Sequence, residues 1–140
     1  MQPFPFIRYF FKFLVTINIP STFTDVLQGS NNVDVYIETI PNDYYSRCSV
    51  ELKKVLDYTS ASDLANGMAV YYDVVDTLTT KEINGIQWQY LKYEGYMNSE
   101  IYITEKDGSV YKYEYGYGKN ANMDVCKLYR NTIINTVSFK

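Results

Sequence analysis

Two dipeptides constrain this chain more than anything else in it. Asn84-Gly85 stands between TTKEI and IQWQYLKY, and Asp107-Gly108 stands between EIYITEK and SVYKYEY. Each supplies two consecutive residues that tolerate positive φ, as a two-residue type I′ hairpin turn requires, and alternating runs flank both. With Gly95-Tyr96-Met97-Asn98-Ser99 as the middle connection, the stretch from Thr77 reads as a four-stranded antiparallel meander.

The second hairpin can be placed in register. If Asp107 and Gly108 form the turn, Lys106 faces Ser109, Thr104 faces Tyr111 and Tyr102 faces Tyr113, all on one side of the sheet with Tyr115. The other side carries Ile101, Ile103 and Val110, mixed with Lys112 and Glu114. Apolar residues on both faces imply cover on both, so the expected class is α+β, a mostly antiparallel sheet of about six strands with helices on two sides.

The rest of the chain supplies those partners. Lys12–Ile19 and Val33–Ile40 alternate as strands, stopped by Pro20 and by Pro41-Asn42-Asp43, with a loop over residues 21–32 between them. Residues 46–58 fit either a strand (Cys48, Val50, Leu52) or a helical stripe (Leu52, Val55, Leu56). Ser60 or Ser62 can cap a central helix with Leu64, Met68, Tyr71, Tyr72 and Val75 along one side, though Gly67 costs it about 1 kcal/mol. Asn120 or Asn122 can cap a C-terminal helix running to about Asn135, with Val125, Leu128, Tyr129, Thr132 and Ile133 in its stripe, before a short edge strand over residues 136–139.

A chain of 140 residues with 46% apolar and 21% charged residues can bury one core. Residues 1–11 read as an aromatic lead-in, and 12–140 as a single domain. The start, MQPFPFIRYFFKFLV, lacks the pattern of a signal peptide and the ~20 apolar residues of a spanning helix; its Arg8 and Lys12 among aromatics would also suit contact with a membrane interface.

Several function classes fall away. Without a single histidine, the chain has no Ser-His or Cys-His nucleophile system and lacks the ligand most zinc sites use. A net charge of −3 with 13 scattered Lys and Arg argues against nucleic acid. No phosphate loop, Walker motif, serine elbow or EF-hand is present; GYGKN at Gly116–Asn120 reads as a strand exit before a helix cap. The carboxylates, including Asp73 and Asp76, read as solvated surface, and no cofactor or metal is expected. Cys48 and Cys126 belong to no CxxC spacing and are expected to be two separate buried small side chains, with a disulfide in an oxidising compartment as the alternative.

The 16 tyrosines are the compositional outlier. Tyr102, Tyr111, Tyr113 and Tyr115 fit a layer between sheet and helix, since an exposed face of this kind would be a large apolar patch. The aromatic residues left as candidate ligand-binding positions are Trp88, Tyr93 and Tyr96.

The stretches FLVTINIP, SASDLANGMAVYYD, EINGIQW, DGSVYKYEY and IINTVSFK, spread over residues 12–140, resemble in their order the PsbP-like fold family. That family includes the extrinsic protein of photosystem II, a Ran-binding nuclear import factor and small bacterial secreted or lipid-anchored proteins. The resemblance implies an α/β/α sandwich and a non-enzymatic domain that contacts another protein, at or outside a bacterial cell surface. It transfers no metal site or partner-binding motif to positions of this chain. The alternative function is small-molecule or carbohydrate binding through an aromatic sheet face.

Overall fold

A computed structural model of the chain describes residues 5–11, 15–71, 78–95 and 98–139. The strands are β1 (Phe6–Phe11), β2 (Val15–Pro20), β3 (Thr24–Gln28), β4 (Asn32–Glu38), β5 (Arg47–Val55), β6 (Thr79–Ile83), β7 (Ile86–Tyr93), β8 (Asn98–Lys106), β9 (Ser109–Tyr117) and β10 (Ser138–Phe139). The helices are α1 (Ala61–Tyr71) and α2 (Met123–Ile134).

Seven strands form the central sheet in the order β3-β4-β5-β9-β8-β7-β6, and β1-β2-β10 form a smaller one. Every described strand pair is antiparallel. The meander forms as the turns dictate. Asn84, Gly85, Asp107 and Gly108 all have positive φ, and Lys106 pairs with Ser109, Thr104 with Tyr111 and Tyr102 with Tyr113.

Residues 46–58 resolve to the strand, β5, because it pairs on both sides, with β4 and with β9. Two further strands lie where the sequence suggests irregular chain. Phe6–Phe11 of the aromatic lead-in pairs with β2 along its whole length, and Thr24–Gln28 adds an edge strand to β4 through an irregular register between Asp25 and Leu27. Tyr72 and Val75, read as the end of the central helix, and Asp73 and Asp76 lie outside the described residues.

Alternation along each strand sends side chains to two differently covered faces. The first face carries Val33, Val35, Cys48, Val50, Leu52, Tyr102, Tyr111, Tyr113 and Tyr115, and it packs against Val15, Ile17 and Ile19 of β2 and Ile133 and Ile134 of α2. The second face carries Leu91, Ile101, Ile103 and Val110 beneath Ala61, Leu64, Ala65 and Met68 of α1. The α/β/α sandwich therefore stands, with the small sheet sharing the layer of α2.

Both helix starts are capped by side chains. Asn122 Oδ1 accepts the Val125 N–H at 3.2 Å, and Ser60 Oγ accepts the Asp63 N–H at 3.3 Å. Beyond α2, Thr136 Oγ1 accepts the Asn18 N–H at 2.9 Å and ties the chain end to β2.

The cysteines depart from expectation. Cys48 on β5 and Cys126 on α2 are joined as a disulfide, with Cα atoms 5.4 Å apart. Cys48 lies on the first face, directly under the helix whose buried side carries Cys126, a juxtaposition that only the tertiary fold creates. Closing a loop over a sequence separation of 78 stabilises the fold by about 4–5 kcal/mol on the chain-entropy model.

Candidate functional site

The three aromatic candidates do not form one surface. Trp88 has no solvent exposure. Its ring meets Tyr102 edge-on with centroids 6.3 Å apart. A fully enclosed indole cannot stack on a ligand, so Trp88 is corrected to a core residue. Tyr93 ends β7 half-buried, across from Ser99, and its ring lies where a side chain on Gly95 would have to go. Tyr96 lies outside the described residues. The signal for Trp88 was available in the first hairpin: Ile83 pairs with Ile86, which sends Trp88 to the same face as Tyr90, and Tyr90 pairs with Tyr102.

Tyr102, Tyr111 and Tyr113 are buried as well. Tyr102 packs between Tyr90 at 5.0 Å and Tyr113 at 5.7 Å between ring centroids, so this face is no aromatic platform. Burial holds the Tyr102 phenol protonated, pushing its pKa up to about 12, with the Glu100 charge adding to it.

Two charged clusters survive inside the fold. Glu100 is buried; it accepts the Tyr90 hydroxyl at 2.7 Å and pairs with Arg130 of α2. Burial first, and then the bond to Glu100, raise the Tyr90 phenol. On the open part of the second face, Lys112 Nζ lies 2.9 Å from Glu114 and 3.2 Å from Glu51. Burial alone would lower that ammonium, but the two carboxylates outweigh it and its pKa is raised. Neighbouring Asp34 is also raised, by burial first and then by Glu51 and Glu114. Both clusters are internally satisfied ion pairs. Neither presents a nucleophile beside a base, and among the described residues no group of three or more acidic or thiol ligands is placed to hold a metal.

A cavity of about 490 Å³ lies at one end of the meander, within the range of ligand pockets. It opens because the two hairpins part. The β6–β7 ladder runs to its turn at Ile83–Ile86, and the β8–β9 ladder runs to its turn at Lys106–Ser109. Between them, the β7–β8 ladder stops at Gln89–Ile103. Ala61 and Ser62 of α1 line the cavity from one face, Val137, Ser138 and Phe139 from the other, with Ile86, Gln87, Gln89 and Glu105 between. Thr104 Oγ1 donates to the Gln87 carbonyl at 2.7 Å across the gap, and Glu105 Oε1 accepts the Ala61 N–H at 2.9 Å. The cavity's lining thus combines amides, hydroxyls, the charged Glu105 and Lys106, and an apolar rim. Sequence reading missed this cleft, because a ladder that ends early leaves no mark in the composition of its strands.

GYGKN is a strand exit. A side chain at Gly118 would collide with the Tyr45 carbonyl, and the Gly118 N–H donates to the Arg47 carbonyl at 3.0 Å, so glycine serves close backbone approach there.

No family model and no curated protein sequence matches the chain. Solved structures do. A protein of Bacteroides thetaiotaomicron superposes with a TM-score of 0.61 at 15% identity, over 100% of this chain and 49% of its own; the chain spans about half the length of that protein. The solution structure of cyanobacterial PsbP (CyanoP) from Synechocystis superposes with a TM-score of 0.58 at 15% identity, over 96% of this chain and 92% of its own. The chain has the PsbP-like fold.

Proposed function

We propose that this chain is a non-catalytic interaction domain that binds another protein through the cleft at the parted hairpin ends, in an oxidising compartment outside the cytoplasm. The observation that carries the reading is the cleft itself: about 490 Å³ lined by amides, hydroxyls, Glu105, Lys106 and an apolar rim. The Cys48–Cys126 disulfide supports the compartment, since disulfides form and persist outside the reducing cytosol. The PsbP-like fold is compatible with it.

A photo-crosslinking residue placed at Gln87, within the cleft, is expected to capture a protein in cells that make this chain. The same residue at Thr80, on exposed β6, is expected to capture none. Equal capture from both positions, or no protein adduct from Gln87, would overturn the reading.

A further inference from the structure

We propose that Asn84 is a modification site: its side-chain amide converts, without an enzyme, to aspartate and isoaspartate, and the change uncaps α2 at the rim of the cleft. The conversion does not depend on what the cleft binds. Asparagine followed by glycine occurs twice in the chain, at Asn66-Gly67 and Asn84-Gly85. The glycine nitrogen is the nucleophile of the reaction, so its freedom to turn decides which site reacts.

At Gly67 that nitrogen lies inside α1, where the helical bonds fix it. At Gly85 it lies in the two-residue turn, whose ladder bonds belong to the flanking Ile83 and Ile86. No described backbone group accepts the Gly85 N–H. Both turn residues are exposed, and no described atom lies within 4 Å of where a Gly85 side chain would start. When the turn flexes, the Gly85 nitrogen attacks the Asn84 side-chain carbonyl carbon. A C–N bond forms, ammonia leaves with the proton from Gly85, and water then opens the cyclic imide at either carbonyl.

The amide so lost holds a helix end. Asn84 Nδ2 donates to the Asn135 carbonyl at 2.9 Å, and Asn135 is the C-terminal cap of α2, where carbonyls lack helical partners. Aspartate has no proton to give at neutral pH and sets its charge against the negative end of the helix. Isoaspartate also lengthens the main chain of the turn, so Ile83 and Ile86 can no longer pair across two residues. Both products loosen the first hairpin from α2 and make the cleft rim, where Asn84 and Gly85 stand, more acidic.

The test holds the whole chain at mildly alkaline pH and maps its peptides by a method that separates aspartate from isoaspartate. Asn84 is expected to convert at least about tenfold faster than Asn66, whose helix must open first. Asn84→Asp should lower the unfolding midpoint below that of Asn84→Gly, which keeps the turn and loses only the bond. That gap should close as pH falls through about 4, where the carboxyl becomes neutral. Conversion of Asn66 as fast as Asn84, or an intact Asn84 while the urea-unfolded chain converts, would overturn the site. Equal midpoints for the two variants at neutral pH would overturn the uncapping.

Discussion

On one face of the central sheet, Val33, Val35, Cys48, Val50 and Leu52 are at most 1% exposed. On the other face of the same two strands, Asp34, Tyr36, Ser49 and Glu51 are only half-buried. The sealed face is closed by α2 and the small sheet and fastened by the disulfide, by the Thr136–Asn18 bond and by the Arg130–Glu100 pair. Among the described residues the second face has α1 alone, which covers β7 and β8 but leaves β4 and β5 to charged pairs. Alternate residues of one strand thus serve stability on one side and leave the other free. Tyr102, Tyr111, Tyr113 and Tyr115 belong to the sealed side, where their rings fill space against helix and strand.

The disulfide supplies the largest test of this contrast. The double variant Cys48→Ala, Cys126→Ala should lose about 4–5 kcal/mol in urea unfolding relative to the oxidised chain. Leu64→Ala, beneath α1 on the second face, should lose about 2–3 kcal/mol by the same measurement. A loss at Leu64 as large as that from the cysteines would erase the asymmetry between the faces.

The buried phenols give the sealed face a pH signature. An exposed tyrosine loses its proton near pH 10, whereas Tyr102 in the fold holds it to about 12, and burial raises Tyr113 and Tyr115 as well. In that window the folded chain binds more protons than the unfolded one, so its stability is unaffected below about pH 10 and falls as pH rises toward 12. Tyrosinate absorbance should therefore show an exposed set titrating first and a buried set appearing only with unfolding. A single transition near pH 10 in the folded protein would place those rings in water.

The smallest effect belongs to the open half of the second face. Burial and two neighbouring carboxylates raise Asp34, so its charged form weakens the fold at neutral pH and the penalty lifts as pH falls through the raised pKa. Asp34→Asn should stabilise the chain at pH 7 by less than about 1 kcal/mol, since the site is half solvated. It should also flatten the gain on mild acidification, both read from unfolding midpoints between pH 4 and 7.

What the sequence disclosed follows the range of the forces involved. Hairpin register was legible because two adjacent residues with positive φ fix it locally. The Asn122 cap and the buried tyrosine face were legible for the same reason, through spacing of two to four residues. β1 and β3 were not, because each is a strand only by virtue of a neighbour that pairs with it. The disulfide joins residues 78 apart, and nothing local announces it. The face of Trp88 was legible in the first hairpin, but its enclosure was not, because the packing of that hairpin on the second depends on a connection whose geometry no turn signature sets. The cleft was invisible for the deepest reason: it is a place where pairing stops.

Native-state hydrogen exchange tests the contrast between the faces most directly. Amides of α2 from Cys126 to Ile134, held by the disulfide and the Arg130–Glu100 pair, should exchange only through global unfolding. Those of α1 around Ala65 to Met68, in a helix interrupted by Gly67 and fastened by packing and by the bond from the Ala61 N–H to Glu105, should exchange through a cheaper local opening that leaves α2 protected. Equal protection of the two helices, or earlier opening of α2, would contradict the division of the sheet into a sealed face and an open one.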